Sequence, residues 1–260
     1  MKISFYKYQG TGNDFILIDN RQKVFEVARV DLVKKLCDRK FGIGSDGLIL
    51  LQDKEGFDFE MIFFNPDGSK SLCGNGSRCV VAFAKSLGII KEKTRFITFD
   101  GEHVAIILKN GEVCLKMNDV ETVEKGNDYY FLNTGSPHFC SFVKDVAYYD
   151  VFGEGKKIRN KERFKKDGTN VNFLEKNGDS VFVRTYERGV ENETLSCGTG
   201  VTAAGLVAAL AGVSTNENYC TIKTLGGNLK VKFQKNENNS FSHIWLEGPA
   251  TFVFGGEIEI

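Results

Sequence analysis

The 260-residue chain is predicted to form two homologous, pseudo-symmetric α/β domains (α+β in type and rich in strands), each with its strands wrapped around one central helix. Two observations predict this fold. Sequence motifs recur in the same order at offsets of 123 to 126 positions, and each copy combines short strand-like runs with one apolar helix. An offset of this size is far longer than a solenoid repeat, so it indicates duplication of a whole domain.

The clearest repeat surrounds two cysteines. Cys73 lies in "SLCGNGSRCVVAFAKSLG" and Cys197 lies in "LSCGTGVTAAGLVAALAG", 124 positions later. Each cysteine begins a Cys-Gly-X-Gly motif, followed by a small, apolar run and by a glycine 15 positions after the cysteine. Upstream, "GTGNDFILID" is echoed by "NTGSPHFCSF", and downstream "ITFDGEHVAIIL" is echoed by "IKTLGGNLKVKF". Three matches in one order support the duplication.

Each copy shows a helix and several strands. The strand-like runs are "EMIFFN", "FITFD", "HVAIILK" and "EVCLKM" in the first copy and "VFVRTY", "CTIKTL", "LKVKF" and "HIWLEG" in the second. The helices after Cys73 and Cys197 carry almost no charge and are therefore expected to be buried on most sides. A further helix is predicted at 29–40, and the final "ATFVFGGEIEI" is predicted to return to the first domain as a strand. The predicted domains are 1–118, joined by 249–260, and 119–248.

Composition excludes several classes of partner. Lys plus Arg and Asp plus Glu both number 34, so the formal net charge is zero and nothing favours binding to nucleic acid or to an anionic membrane. No apolar run approaches the roughly 20 residues of a membrane span, and the N-terminus lacks the apolar core of a signal peptide. Seven cysteines without disulfide-scaffold spacing fit a reducing compartment. We expect a soluble cytoplasmic protein, with a homodimer as the expected assembly.

The paired cysteines predict acid–base chemistry. A cysteine at a helix N-terminus has a lowered pKa, and the backbone N–H groups of Gly74, Asn75, Gly198 and Thr199 are suited to binding an anion. If the two thiols face each other across a cleft between the domains, a carboxylate docked on these N–H groups places its α-carbon between the sulfurs. A thiolate can then remove the α-proton while a thiol returns one to the opposite face. This chemistry needs no cofactor, and no metal-ligand motif or dinucleotide fingerprint is visible.

At these residues the chain resembles the diaminopimelate epimerase family. The resemblance runs through "GTGNDF", "NPDGSKSLCGNGSRC", "GSPH", "TNVNF", "YERGVENETLSCGTG" and "GPATFVF", in the family's order and over essentially the whole chain. It implies two similar domains, each a mixed β-barrel around a central helix, with the active site in the cleft between them. It also implies interconversion of LL- and meso-2,6-diaminoheptanedioate, a small diamino dicarboxylate, on the way to lysine and peptidoglycan.

The resemblance also implies roles for individual residues. Cys197 would accept the α-proton and Cys73 would donate one in the LL-to-meso direction, with His138 supporting these bases. Gly74, Asn75, Gly198 and Thr199 would hold the reacting carboxylate, and Glu187 would receive the α-ammonium group. The remaining polar groups, chiefly the distal carboxylate, would be held by Asn13, Asn65, Asn170 and Arg188. An arginine fork suits a carboxylate, and amides fix orientation without adding charge.

Three positions depart from the family pattern. Ser136 stands where many members have asparagine, Gly47 where some have glutamine, and Pro66 where a smaller residue is often found. None of them is one of the two cysteines. The other five cysteines (Cys37, Cys79, Cys114, Cys140 and Cys220) are assigned to packing, and His103 and His243 to structural or surface positions.

Other functions remain open from the residues. A proline or hydroxyproline racemase would use the same two-cysteine chemistry on a substrate with one carboxylate. An isomerase of the phenazine-pathway type would share the fold but lack the cysteine pair. A non-catalytic two-thiol protein of redox or metal-binding function would bind zinc or form a redox-active disulfide instead.

Overall fold

The computed structural model describes residues 2–214 and 216–259. The chain divides into two compact units. The N-terminal unit is formed by Met1–Leu115 together with Gly248–Ile260, and the C-terminal unit by Lys116–Glu247. Each unit contributes its own set of strands and its own buried helix, and each is described separately.

The N-terminal unit contains eight strands and two α-helices among the residues described. They are β1 (Lys2–Gly10), β2 (Asn13–Asp19), α1 (Val30–Cys37), β3 (Leu48–Gln52), β4 (Glu60–Phe64), α2 (Gly74–Ser86), β5 (Lys93–Thr98), β6 (Gly101–Ile107), β7 (Val113–Lys116) and β17 (Thr251–Glu259). The strands β2 and β3, and also β4 and β5, pair in parallel, while the other neighbours pair antiparallel. The final strand pairs antiparallel with β1, as the sequence predicted.

The C-terminal unit repeats this plan in its described residues. Its elements are β8 (Val123–Lys125), β9 (Tyr130–Asn133), β10 (Pro137–Phe142), α3 (Val151–Arg159), β11 (Asn170–Asn177), β12 (Ser180–Glu187), β13 (Asn192–Thr194), α4 (Gly198–Leu210), β14 (Tyr219–Thr224), β15 (Gly227–Lys235) and β16 (Phe241–Gly248). The parallel pairs are β10 with β11 and β12 with β14, and each pair is connected through a helix, as in the first unit. The short strand β13, which pairs with β12, has no counterpart among the described strands of the N-terminal unit.

The helices α2 and α4 are the buried centres of their units. From Gly200 to Ala208 every residue of α4 is buried, which follows from a sequence without a charged side chain. The helix α2 is buried from Asn75 to Val81 even though it carries Arg78. The guanidinium of Arg78 is fully buried and donates to the Thr11 hydroxyl (3.3 Å) and to the Pro249 carbonyl (3.4 Å). This side chain thus ties α2 to the β1–β2 turn and to the segment before β17.

The predicted helix at 29–40 is shorter in the structure. The helix α1 ends at Cys37 because Asp38 adopts an extended backbone conformation and its carboxylate accepts the N–H groups of Lys40 and Phe41. Its apolar face, which includes Leu32, Val33 and Leu36, packs in a buried cluster with Phe25, Leu48 and others. In the described part of the chain, no helix combines the length and apolar character needed to cross a membrane.

Candidate active site

Cys73 is the N-cap of α2. Its backbone is extended (φ −132°, ψ 112°), and its sulfur accepts the N–H of Gly76 at 3.4 Å. The first intrahelical bond runs from the Ser77 N–H to the Cys73 carbonyl, so the N–H groups of 74–76 lie ahead of the helical ladder. The predicted position of Cys73 at the start of a buried helix is confirmed.

Asn13 lies beside Cys73 in a fixed orientation. Its Nδ2 donates to the Asp46 carboxylate at 2.8 Å, which turns Oδ1 towards Asn75 Nδ2 (3.1 Å) and the Cys73 sulfur (3.5 Å). Asp46 is in turn held by Arg39 at 2.8 Å. The structure therefore brings together three of the predicted site residues of this unit: Asn13, Cys73 and Asn75.

An ionic cluster stabilises the backbone that carries Asn13. The carboxylate of Asp14 pairs with Lys7 and Arg39, both at 2.6 Å. Burial alone would raise the pKa of Asp14, but the hydrogen bonds from Arg39 and Lys7 outweigh it and lower this pKa to about 2. The carboxylate thus stays ionised over the physiological pH range, and the start of β2 stays anchored.

Asn65 lies in a turn that precedes Cys73. Its side-chain Nδ2 is within hydrogen-bond distance of the hydroxyls of Ser69 and Ser71, both at 3.0 Å. Its backbone carbonyl accepts the N–H of Gly68 at 2.8 Å. In the sequence "NPDGS" this is a tight turn, with Pro66 at its second position and Gly68 at a φ of +83°. The side chain of Asn65 therefore bonds within this turn and to the segment that leads to Cys73.

Cys197 occupies the equivalent position at α4. It is the N-cap, with φ −118° and ψ 114°, and its carbonyl accepts the first helical N–H, from Val201. The Thr199 hydroxyl lies 3.6 Å from the Cys197 sulfur. The glycine at 200 is needed for this geometry, because a Cβ there would lie 2.6 Å from Asn172 Oδ1 and 3.4 Å from His138 Cε1. The close approach of α4 to β10 and β11 therefore depends on Gly200.

His138 is a neutral, fully buried imidazole. Burial, together with the charge of Arg188, lowers its pKa from 6.5 to about 3. Its Nδ1 lies 3.1 Å from Asn172 Nδ2, and its Nε2 lies 3.0 Å from the Ser136 hydroxyl. A histidine with this pKa does not act as a cation or as a strong base near neutral pH.

The remaining predicted residues of this unit lie at the ends of β11 and β12. Asn170 Oδ1 accepts the backbone N–H of Arg188 at 2.8 Å, and Arg188 Nη1 donates to the Asp167 carbonyl at 2.6 Å. The Glu187 carboxylate accepts the Thr194 hydroxyl at 2.9 Å. Asn170 is thus brought to the His138 cluster, whereas the Glu187 and Arg188 side chains bond to neighbouring segments.

The other five cysteines are buried, in agreement with the packing role expected for them. Burial raises the pKa of Cys37 and Cys220 to about 11 and that of Cys140 to about 12, and it raises the pKa of Cys79 still further. These four thiols stay protonated and poorly nucleophilic near neutral pH.

Some residues that contact the candidate site were not predicted from the sequence motifs. Asn172 lies two positions from Asn170 on β11, so both side chains point to the same face of the strand. That alternation was the available signal in "TNVNF". Asp46 gave no signal, because its contact with Asn13 joins segments 33 positions apart. At Gly47, the departure from the family has a packing reason: a Cβ would lie 2.3 Å from the Phe63 ring.

The repeated units, each with a cysteine capping its central helix, match a known protein family. A family model described as diaminopimelate epimerase matches residues 5–123 and 130–253. The chain belongs to the diaminopimelate epimerase family. The resemblance found in the motifs is therefore confirmed, and the enzyme class is isomerase. The diaminopimelate epimerase of Flavobacterium psychrophilum is 52% identical over 254 residues, covering 97% of this chain and 98% of that protein. That of Aquifex aeolicus is 39% identical over 276 residues, covering 98% of each chain.

Solved structures show that the fold extends beyond the diaminopimelate epimerase family. A Bacillus anthracis phenazine biosynthesis protein of the PhzF family superimposes with a TM-score of 0.75 at 15% identity, covering 100% of both chains. A hydroxyproline epimerase from Agrobacterium vitis superimposes with a TM-score of 0.67 at 14% identity, covering 99% of this chain and 92% of that one. At this identity the likeness shows the fold alone. The predicted strand-rich fold of two homologous domains is thereby confirmed.

Proposed function

We propose that this protein interconverts LL- and meso-2,6-diaminoheptanedioate by proton transfer at the α-carbon. The observation that carries the proposal is the repeated Cys-Gly-X-Gly motif, in which each cysteine caps the central helix of its unit. Membership of the diaminopimelate epimerase family directs this chemistry to a diamino dicarboxylate. The product would serve the biosynthesis of lysine.

In the proposed mechanism the two cysteines act in sequence. In the LL-to-meso direction the Cys197 thiolate takes the α-proton and becomes a thiol, which leaves an enolate-like carbanion. The Cys73 thiol then gives its proton to the opposite face of that carbon and becomes a thiolate. The reverse reaction starts from this second state, so proton and charge balance over the cycle. No step needs a cofactor.

Helix termini would supply the electrostatic stabilisation. We assign the reacting carboxylate to the N–H groups of Gly74 and Asn75 in one unit and of Gly198 and Thr199 in the other. Negative charge that develops on this carboxylate is favoured by the positive end of each helix dipole. The assignment is supported by the helix starts at residues 74 and 198.

The rest of the substrate would be held by polar side chains. Glu187 would pair with the α-ammonium, and Arg188 would bind the distal carboxylate with the amides of Asn13, Asn65 and Asn170. We infer that the domains are 1–118, joined by 249–260, and 119–248. His138 would support the cysteines as a neutral hydrogen-bonding group.

We further propose a cytoplasmic homodimer. None of the described cysteines forms a disulfide, which suits a reducing compartment. The strand β17 exposes three adjacent large apolar residues: Phe252 and Val253 are each 52% exposed and Phe254 is 45% exposed. An apolar patch of this kind is typical of an interface between protein chains.

Substitution on β17 tests the dimer. Sedimentation of the wild-type protein should give a dimer, and Val253→Lys should give a monomer because a charge replaces an apolar contact. Leu225→Lys is the matched control, because Leu225 is also an exposed apolar residue (49%) but lies outside β17. A monomeric wild type, or equal effects of the two changes, would contradict this part of the proposal.

Substrate turnover separates the proposed function from its alternatives. The purified protein, without added cofactor, should epimerise LL-diaminopimelate and leave L-proline and trans-4-hydroxy-L-proline unchanged. Turnover of proline or hydroxyproline with none of diaminopimelate would identify a racemase of the other class. Stoichiometric zinc binding or a redox-active disulfide, without turnover of any of these amino acids, would identify the two-thiol alternative.

A further inference from the structure

A chain of hydrogen bonds in the C-terminal unit ends at the Cys197 sulfur. It runs from Asn172 to His138 (3.1 Å), from His138 to Ser136 (3.0 Å), from Ser136 to Thr199 (3.0 Å) and from Thr199 to Cys197 (3.6 Å). The donor and the acceptor of each hydrogen bond can be assigned, because the first side chain in the series has only one possible orientation.

That starting point is Asn172. Its Nδ2 donates to the Phe139 carbonyl, which only accepts, and its Oδ1 accepts the Thr185 hydroxyl at 3.0 Å. The amide nitrogen therefore faces His138 Nδ1, which must accept. Since the imidazole is neutral, its proton is on Nε2, and Nε2 donates to Ser136 Oγ.

Ser136 receives a second donor from Asn170. The backbone N–H of Arg188 fixes Asn170 Oδ1 as an acceptor, so Asn170 Nδ2 donates to Ser136 Oγ at 3.2 Å. With both lone pairs of Ser136 Oγ occupied, its own proton points to Thr199 Oγ1. The Thr199 hydroxyl then accepts from Ser136, and the remaining neighbour to which it can donate is the Cys197 sulfur.

We propose that Ser136 is a positioning residue: it passes the orientation set by His138 and Asn170 to Thr199, whose hydroxyl donates to Cys197 and favours the thiolate. A hydroxyl that is already oriented stabilises charge without reorganising when the charge forms. Ser136, where many members of the family have asparagine, thereby acquires a role in the proton transfer. Its catalytic consequence rests on the proposed function, whereas the effect on the thiol does not.

The contacts of the Cys73 sulfur differ from those of the Cys197 sulfur. Asp46 fixes Asn13 so that its carbonyl oxygen, an acceptor, faces the Cys73 sulfur at 3.5 Å. A thiol can donate to that oxygen, whereas a thiolate is repelled by it, although the Gly76 N–H offers Cys73 one donor. In the LL-to-meso direction the proposed mechanism requires a Cys197 thiolate and a Cys73 thiol.

Other charged groups of the C-terminal unit lie near this chain of bonds. His138 on β10 is neutral, Arg188 lies close enough to lower the pKa of His138, and Glu187 at the end of β12 is bonded by Thr194. Substitutions at Ser136 and Thr199 leave Arg188 and Glu187 in place. A test based on the two hydroxyls therefore isolates the hydrogen bonds from these charges.

The test is the pH dependence of Cys197 alkylation by iodoacetamide in the full-length protein, followed on its peptide by mass spectrometry. Thr199→Val should raise the apparent pKa of Cys197 by about one unit, the equivalent of one hydrogen bond of about 1.4 kcal/mol. Ser136→Ala should raise it by a similar or smaller amount. In the double variant the apparent pKa of Cys197 should rise by no more than in Thr199→Val, because both changes interrupt the same series of hydrogen bonds. Ser136→Thr, which keeps the hydroxyl, should restore the wild-type value.

Two controls separate this effect from a general disturbance. Cys73 in the same samples should keep its wild-type profile, because its neighbours Asn13 and Gly76 are left in place. Thr202→Val on the same helix removes a hydroxyl that bonds to the Gly198 carbonyl and should leave the Cys197 profile unchanged. In LL-to-meso turnover, Ser136→Ala should lose activity at low pH and regain it at higher pH.

The possible outcomes are distinct. Unchanged Cys197 profiles in Thr199→Val and Ser136→Ala, additive shifts in the double variant, or equal shifts at Cys73 would overturn the proposal. If the profiles shift as expected but neither the wild type nor any variant epimerises diaminopimelate, the proposed function fails and the hydrogen-bond chain stands. If the protein epimerises diaminopimelate and the profiles stay unchanged, the proposed function stands and the hydrogen-bond chain fails.

Discussion

At the scale of single residues, hydrogen-bond direction determines what the buried polar groups can do. His138 illustrates this, because its burial without a carboxylate partner keeps it neutral and makes it a donor through Nε2. A charged imidazole at this site would lose its hydration on burial and would face the charge of Arg188. The residue therefore contributes through orientation and not through proton exchange with solvent.

The neutrality of His138 predicts a stability that falls as the pH is lowered. Its pKa is about 3 in the folded protein and close to 6.5 when unfolded, so below pH 6.5 the unfolded chain binds a proton that the folded chain excludes. The contribution of the neutral His138 to the free energy of unfolding is fully present above pH 6.5, the unfolded pKa, and is lost as the pH falls towards 3. When the pH is lowered from 7 to 5, the free energy of unfolding should fall in both proteins. The fall should be about 2 kcal/mol smaller in His138→Gln than in the wild type.

Urea unfolding at the two pH values measures this difference. His243→Gln is the control, because His243 is exposed and lies outside the candidate site. Equal losses between pH 7 and pH 5 in the wild type and in His138→Gln would show that the buried histidine is not neutral.

At the scale of elements, the same structural device occurs twice: an extended cysteine followed by a buried helix. The helix α4 approaches β10 and β11 closely at Gly200 and approaches β15 closely at Gly205, where a Cβ would lie 2.8 Å from Val231 Cβ. Only the first of these approaches involves the candidate active site. The two glycines thus provide a matched pair on one helix.

Gly200→Ala and Gly205→Ala should have different effects on activity. Both overpack the interior and should lower the free energy of unfolding by about 1–3 kcal/mol. Only Gly200→Ala pushes on Asn172 and His138, so it should lower kcat at least about tenfold, at a temperature where both variants are folded. Steady-state kinetics and thermal unfolding of the pair check this. Similar losses of kcat would mean that tight packing of α4, and not the site, limits turnover.

The sequence predicted the elements best where their patterns were strong. The two apolar helices and the strands β4–β7, β12 and β14–β16 were found at their predicted places, because burial on one or both faces leaves a clear pattern. The strand β17 was also found at its predicted place, although most of its residues are exposed. Short or polar elements such as β8, with only Val123 to Lys125, leave no such pattern. The hydrogen-bond chain through Ser136 depends on a contact between residues 63 positions apart, which no local signal reveals.

At the scale of the whole molecule, duplication explains why the cysteine motif occurs twice, so that in the proposed mechanism one copy acts as acid and the other as base. Each unit repeats the order of strands and places its cysteine at the start of its central helix. The surroundings of the two sulfurs nevertheless differ: an amide oxygen lies beside Cys73 and a hydroxyl lies beside Cys197. The duplicated fold could be predicted from the sequence, but this difference between the copies could not.

The proposed two-base mechanism also predicts sensitivity to oxidation. If the two sulfurs act on opposite faces of one carbon, as the mechanism requires, we expect them to be able to form a disulfide when no substrate separates them. A thiol oxidant should therefore inactivate the enzyme, with a Cys73–Cys197 disulfide visible by peptide mapping, and a reductant should restore activity. Substrate present during oxidation should protect. Full activity with both thiols shown to be oxidised would contradict the mechanism.

Epimerisation of LL-diaminopimelate in D₂O without added cofactor tests the two-base mechanism most directly. The wild type should give meso product that carries deuterium at one α-carbon, while early in the reaction the recovered substrate carries none, because different groups remove and return the proton. Cys73→Ala and Cys197→Ala should each abolish epimerisation, and the buried Cys140→Ala should not. Near-normal epimerisation by both single variants of the paired cysteines would show that the two thiols do not carry the proton transfer.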